Sequence, residues 1–243
     1  MIHAWYILAG VVILAAAYYG VPFLAGRSSR ALLGRRAARA GMVALTFDDG
    51  PGRTLTCQVL DALERHGARA TFFVRGRSVE KNAEVLRRVL EKGHQVCSHG
   101  HEHLNHWKVS PLRAIRDVKR GWRSLDAALG NESRAYPFRP PEGKLNLVSL
   151  VYLWLSGARV VYWTVDSGDT WTGGAERDCG KVADALERYG GAVALYHDFD
   201  RRDASAGEFV IESLELALQA ADRLGLECVT VEQLLAGTPS GKQ

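Results

Sequence analysis

No aspartate or glutamate occurs in the first forty residues, although 27 acidic residues follow in the rest of the 243-residue chain. Within that stretch, Ala4–Gly26 (AWYILAGVVILAAAYYGVPFLAG) carries no basic residue either. An uncharged run of this length can cross a hydrocarbon layer of about 30 Å as a helix. Trp5, Tyr6, Tyr18 and Tyr19 near its ends suit the two interfaces. A cleavable signal sequence expects basic residues before an apolar core of only about 7–15 residues. Here the charges follow a longer run, so a retained anchor is the favoured reading and a signal sequence its alternative. Cysteine is scarce: Cys57, Cys97, Cys179 and Cys228 stand far apart and form no C-x-x-C pair. They read as reduced, mostly buried small hydrophobes and not as a disulfide framework.

The basic residues are unevenly placed. Arg27, Arg30, Arg35, Arg36 and Arg39 follow the apolar run, and without them 26 basic residues face 27 acidic ones. A folded part with that balance lacks the basic face of a nucleic-acid binder. Five arginines after the span put the downstream domain on the cytoplasmic side by the positive-inside rule; the alternative is a domain exported despite its flank. The organisation expected is a transmembrane anchor over 1–26, a basic connector over 27–40, one domain over 41–236 and a tail over 237–243.

After Gly41 no internal repeat or low-complexity tract interrupts an alternation of apolar runs and amphipathic stretches. Strands are expected at Val43–Phe47, Ala70–Val74, Gln95–Ser98, Ala135–Phe138, Val160–Val165, Ala192–Tyr196 and Leu226–Thr230. Helices are expected near 54–66, 79–92, 111–129, 145–156, 176–189 and 207–224. Gly67, Gly93, Gly130, Gly157, Gly190 and Gly225 follow these six helices, where a left-handed terminator favours glycine. Strict alternation argues a parallel sheet covered by helices. Seven strands favour an open or incomplete barrel over a doubly wound sheet.

Five of the apolar runs end on residues able to do chemistry: Asp48-Asp49, His99, Arg139, Asp166 and His197. Carboxyl ends of strands in β/α barrels converge on one mouth, where active sites are built. Asp48 and Asp49 are strand-end neighbours whose side chains leave on opposite sides, so one can ligate a metal while the other acts as a base. A simple turn at Asp-Asp-Gly-Pro is the competing reading. In Cys97-Ser-His-Gly-His-Glu-His-Leu-Asn-His106, only His99 and His103 are spaced i, i+4, which predicts one face of a helical turn. The H-E-x-x-H zinc motif fails, because Asn105 stands where its second histidine belongs. His101 and His106 are expected to be solvated or to stand behind the ligands, His106 with a possible part in substrate contact. One aspartate and two histidines make three protein ligands, the number found in catalytic zinc sites.

Thr46–Pro51 (TFDDGP), His99–His103 (HGHEH), Arg139–Gly143 (RPPEG), Asp166–Trp171 (DSGDTW) and Leu195–His197 (LYH) together resemble the five ordered motifs of the polysaccharide deacetylases, the NodB-homology domain of carbohydrate esterase family four. The likeness covers about 42–235. It implies a distorted, incomplete (β/α)7 barrel, here preceded by one N-terminal transmembrane helix, and metal-dependent hydrolysis of N-acetyl groups on amino sugars. It implies that Asp49, His99 and His103 hold a divalent metal, usually zinc. Asp48 would be the general base, Arg139 its partner, and His197 the general acid, with Asp166 orienting the imidazole. Pro141, Glu142 and Trp171 would contact substrate, with a backbone N–H near Pro141–Glu142 available to an oxyanion.

The chain departs from the family pattern at Gly100, where serine or threonine is common, at Glu142, where an aromatic is frequent, and at Thr170, inserted before Trp171. Trp107 and Trp163 are further candidates for sugar stacking. The segment Leu145–Leu155 (LNLVSLVYLWL) is apolar nearly all round; a buried helix is its default reading, and a helix resting on the membrane beside the site is the alternative. The expected activity is N-deacylation, acetyl or formyl, of an amino sugar, with a lipid-linked saccharide at the cytoplasmic leaflet as substrate. The alternatives are an exported enzyme acting on peptidoglycan or extracellular polysaccharide, and a catalytically inactive carbohydrate-binding relative.

Overall fold

Strand β1 (Met42–Asp48) is buried at every position, and its apolar residues face covering layers on both sides of the sheet. That is the behaviour of a central parallel strand. Around it lie β2 (Ala70–Val74), β3 (Gln95–Ser98), β4 (Val165–Asp166), β5 (Ala192–His197) and β6 (Glu227–Cys228). The order is β3-β2-β1-β5-β4, with β6 on the start of β1, and every pairing is parallel. The computed structural model describes residues 2–130, 135–170 and 178–237.

Single bridges from Ser98 to Phe138 and from Phe138 to Val160 carry the curl from β3 round toward the segment leading into β4. The result is an α/β fold with an incomplete barrel. The strand expected over Ala135–Phe138 shrinks to that one bridge, because Pro137 and Pro140 have no N–H to give a ladder. The strand expected from Val160 is likewise a bridge followed by the two-residue β4.

The helices are α1 (Ile2–Ala40), α2 (Leu55–Arg65), α3 (Gly76–Lys81), α4 (Ala83–Glu91), α5 (Pro111–Leu129), α6 (Leu147–Leu155), α7 (Lys181–Tyr189), α8 (Ala204–Leu224) and α9 (Val231–Ala236). All six glycines read as terminators adopt left-handed backbone, with φ between 58° and 77°. The helix expected over 79–92 is two helices that meet at Asn82, whose side-chain amide donates to the Pro51 carbonyl at 2.9 Å. The short α9 was not anticipated; a capping box between Thr230 and Gln233 starts it.

Residues of β1 alternate between two apolar clusters. Val43, Leu45 and Phe47 pack beneath the outer helices, with Phe47 stacked between Phe72 and Tyr196 at 5.0 and 5.6 Å. Ala44, Phe73, Cys97 and Val193 form the other cluster, which Leu33 and Ala37 of α1 and Leu234 of α9 complete. Residues 27–40, expected as a connector, are therefore a continuous part of α1. The apolar i, i+4 pair Leu33 and Ala37 seats this half of the helix on the sheet while Arg35, Arg36 and Arg39 stay exposed. From Trp5 to Leu24, α1 exposes most of its large apolar side chains. It is long and apolar enough to cross a membrane.

Candidate active site

The expected strand-end residues gather at one mouth. Asp48 ends β1, and its carboxylate accepts from Arg139 Nη1 at 2.8 Å. Arg139 is fully buried and also donates to Thr46 Oγ1 at 2.7 Å, while its guanidinium lies 4.0 Å from the Phe73 ring centre. Burial opposes this charge; the Asp48 carboxylate holds it in place. The ladder between β1 and β5 sets Asp48 directly beside His197.

Asp48 and Asp49 do not point to separate sides as strand alternation suggests. Asp49 has left the strand with φ 74°, and this turn lets both carboxylates approach one imidazole. His99 Nε2 lies 3.7 Å from Asp48 Oδ2 and 3.8 Å from Asp49 Oδ1. The Asp49 backbone is pinned by Arg75 Nε and Ser78 Oγ, which donate to its carbonyl at 3.0 and 3.1 Å.

His99 and His103 come together, but not on a helix. The segment after β3 is a loop, in which Gly100 has φ 78° and His103 φ 59°. These two left-handed residues fold the loop so that the imidazole centres stand 5.0 Å apart. Gly100 has a steric reason as well: a Cβ there would lie 2.5 Å from Asp117 Oδ2. That carboxylate accepts the backbone N–H groups of His101 and Glu102 at 3.0 and 2.9 Å, holding the loop from α5.

Asp49, His99 and His103 bring one ligand atom each to within 4.8 Å of one another. Among the described residues, buried Asp49 Oδ1 has no hydrogen-bond partner; Arg75 Nε stands 3.5 Å from it and His103 Nε2 3.6 Å. An orphaned carboxylate oxygen between two imidazole nitrogens fits a divalent cation as the missing partner. His99 Nδ1–H donates to the Arg139 carbonyl at 2.8 Å, which fixes the tautomer and frees Nε2 for the cation. Burial keeps His99 below the ordinary histidine value against the pull of Asp48 and Asp49, leaving it in the neutral, ligating form. Burial works against the Asp49 charge too, but His99, His103 and Arg75 hold its carboxyl below the usual range.

The partner of His197 is not Asp166. His197 Nδ1–H donates to Asp169 Oδ1 at 2.9 Å, and the His197 backbone N–H donates to Asp169 Oδ2 at 2.9 Å. Asp166 instead folds back to accept the Gly168 N–H at 2.9 Å. Gly168, with φ 79°, then reverses the chain and swings Asp169 into the site. Asp169 is buried and held by Arg201 Nη2 at 2.7 Å and by Ser167 Oγ at 3.1 Å. Burial opposes the imidazolium of His197, yet the hydrogen bond and charge of Asp169 outweigh it and raise its pKa to about 9. The sequence offered Asp169 in the same Asp-Ser-Gly-Asp run; the rule of taking the strand-end residue selected the wrong aspartate.

Pro141 and Glu142 belong to a tight 3₁₀ turn, Pro141–Gly143, with Pro141 buried and Glu142 exposed. Glu142 accepts from Asn105 Nδ2 at 2.5 Å, tying this turn to the histidine loop. Trp171 lies outside the described residues. Trp107 and Trp163 are engaged by the protein: Trp107 Nε1 donates to the Leu145 carbonyl at 2.7 Å, and Arg30 sits 4.8 Å over Trp163. His101 and His106 are not solvated; both are buried. His101 packs against Ser124 at 3.2 Å, and His106 stacks on Phe138 at 5.9 Å with burial pushing its pKa down to about 4.

A polysaccharide deacetylase family model matches residues 35–153. The peptidoglycan-N-acetylglucosamine deacetylase PgdA of Listeria monocytogenes is 34% identical over 196 residues, which cover 79% of this chain but only 38% of that protein. The chitooligosaccharide deacetylase of Bradyrhizobium sp. is 32% identical over 201 residues, covering 79% of this chain and 90% of that protein. The solved structure of peptidoglycan deacetylase PdaC from Bacillus subtilis superposes with a TM-score of 0.67 at 28% identity, over 81% of this chain and 90% of that one. On the ordered motifs, the fold and a relative matched over nine-tenths of its length, the chain belongs to the polysaccharide deacetylase family.

Proposed function

We propose that the protein is a metal-dependent hydrolase that removes the N-acetyl or N-formyl group of an amino sugar, with Asp48 as base and His197 as acid. The observation that carries this reading is the pairing of Asp48 with His197 across β1 and β5, beside the Asp49–His99–His103 cluster. Two imidazoles and one carboxylate are a donor set for zinc with a position left open. When bound, the metal would polarise the acyl carbonyl and bring the pKa of a water toward about 7. Arg139 aims the Asp48 carboxylate, which is placed to take a proton from the attacking water. As the oxygen–carbon bond forms and the carbon–nitrogen bond breaks, protonated His197 delivers its Nε2 proton to the departing amine. Asp169 holds the Nδ1 side of that ring and stabilises its charge. The products are a carboxylic acid and a free amino sugar. An inactive, carbohydrate-binding relative would lack a ligand, the base or the acid, and the chain retains them all.

The substrate class we favour rests on reading α1 as a retained anchor. A retained anchor with five arginines on its domain side favours the cytoplasmic face, where an amino sugar on a polyprenyl or other lipid carrier is the accessible substrate. The relatives named as peptidoglycan deacetylases favour a second reading, an exported enzyme acting on cell-wall glycan. Turnover of a lipid-linked N-acetylamino sugar and of a soluble chito-oligosaccharide, assayed side by side, separates the two; preference for the soluble glycan removes the lipid-linked reading. Alkaline phosphatase fused to the carboxyl terminus reports the side directly, being active only if that end is exported. Asp48→Asn is expected to keep bound metal and lose amine release by about 10²–10⁴-fold; full turnover would remove Asp48 as the base.

A further inference from the structure

The outer face of α6 is unusual for a surface helix. Val148, Val151, Trp154 and Leu155 form one stripe along it, and their exposures are 42%, 44%, 75% and 72%. From Leu145 to Ala158 the chain carries no charged residue at all. A helix in contact with water normally presents a polar face opposite its buried one. Here Leu153 and Ser149 face the protein, and the opposite face is apolar too.

The stripe continues onto α1. The two helices pack together, and Pro22, Phe23 and Gly26 of α1 line a small cavity with Trp107, Gly143 and Leu145. Tyr19 meets Trp107 edge-on at 5.4 Å. Farther along, the Ala37 carbonyl lies against Gly191, just before β5, and Leu33 and Ala37 pack with Met42 and Val193. Thus α1 runs from the amino ends of the strands to the loops that follow β3 and Phe138. The first loop carries His103 and the second carries Glu142, so the apolar half of α1 leaves the domain beside the mouth of the site. Two lysines lie over aromatic rings on or beside α6: Lys144 over Trp107 at 4.4 Å and Lys119 over Tyr152 at 5.4 Å.

We propose that α6 is a second membrane contact, lying in the boundary between headgroups and acyl chains next to the exit of α1. The inference rests on reading α1 as a retained anchor. Its apolar stripe meets the acyl region while Lys144 and Lys119 reach anionic headgroups, the arrangement of an interfacial helix. The mouth is thereby held at the bilayer surface, and the amino sugar enters from the leaflet with its lipid still embedded.

The full chain, reconstituted in vesicles of equal parts phosphatidylcholine and phosphatidylglycerol, tests this with phosphatidylcholine doxyl-labelled near the headgroup. The quenching lost on Trp154→Phe reports α6, and the quenching lost on Trp5→Phe reports α1. Quenching at Trp154 is expected and supports the contact. Quenching at Trp5 without quenching at Trp154 overturns it and leaves the anchor standing. Quenching at neither position overturns both readings, and quenching at Trp154 alone supports the α6 contact while removing the anchor. In parallel, Leu155→Asp is expected to lower kcat/KM for the lipid-linked amide about tenfold, on the scale of one lost apolar side-chain burial. Activity on the soluble chito-oligosaccharide should stay unchanged. An equal loss on both substrates would overturn the proposed route of entry.

Discussion

Replacing Asp169 by asparagine removes one buried negative charge and keeps an oxygen that can accept from His197 Nδ1–H. The side chain is fully buried, and its two oxygens accept from the His197 ring, the His197 backbone and Arg201. The rise of the His197 pKa from 6.5 to about 9 corresponds to roughly 3 kcal/mol in favour of the imidazolium. Without the Asp169 charge, burial opposes the imidazolium against only Asp48 and Asp49, and the ring is expected back near its ordinary 6.5. At pH 8 the acid form then falls from about nine-tenths of the molecules to about 3% or less. The expected result is an alkaline limb of kcat/KM that moves down by about two pH units or more, with a loss of roughly thirtyfold at pH 8. Much of the rate should return on acidification toward pH 6, because the ring is still oriented by the amide. The assay is a pH profile of amine release for wild type, Asp169→Asn and Asp166→Asn. Among the described residues Asp166 accepts from the Gly168 N–H and not from His197, so its variant should keep the wild-type limb. A limb moved by Asp166→Asn and untouched by Asp169→Asn would refute the assignment. The same pair contributes to stability: a folded pKa above the unfolded one stabilises fully below about pH 6.5 and is lost as pH rises through about 9.

Three further expectations concern groups that cannot be removed without consequence. Arg139→Met strands the Asp48 carboxylate without its buried partner, a loss of about 3–5 kcal/mol; at about 2–4 °C per kcal/mol for a domain of this size, Tm should fall by roughly 10 °C, and a calorimetric shift under 2 °C would count against the pair as a structural element. Chelation should abolish turnover and lower Tm, with zinc restoring both, and His103→Ala should weaken metal retention measured by elemental analysis about 10-fold or more; unchanged metal content in that variant would remove His103 from the ligand set.

Local rules located much of this protein from sequence. The six helices expected from sequence are each closed by a glycine because a left-handed residue terminates the last turn, and that requirement depends on backbone sterics alone. The strand ends at Asp48, His99, Arg139 and His197 were legible because parallel strands of one barrel deliver their carboxyl ends to one mouth. The i, i+4 spacing picked out His99 and His103, and the structure brings them together by another route: a loop, not a helix, through Gly100 and His103 in left-handed conformation.

What sequence did not reveal depends on contacts between distant segments. His101 and His106 could be read from sequence as solvated or as standing behind the cluster, and burial by α5 and Phe138 removes the solvated alternative. Asp169 outcompeted Asp166 because a turn at Gly168 and a counter-charge from Arg201, more than thirty residues later, determine which carboxylate reaches His197. Composition marked Arg27–Ala40 as a basic connector, while packing of Leu33 and Ala37 on the sheet makes it one helix with the apolar run. Composition and spacing determine which residues are available and where strands and helices end. Tertiary structure decides which of them meet, because burial and charge pairing act through space and are indifferent to separation along the chain.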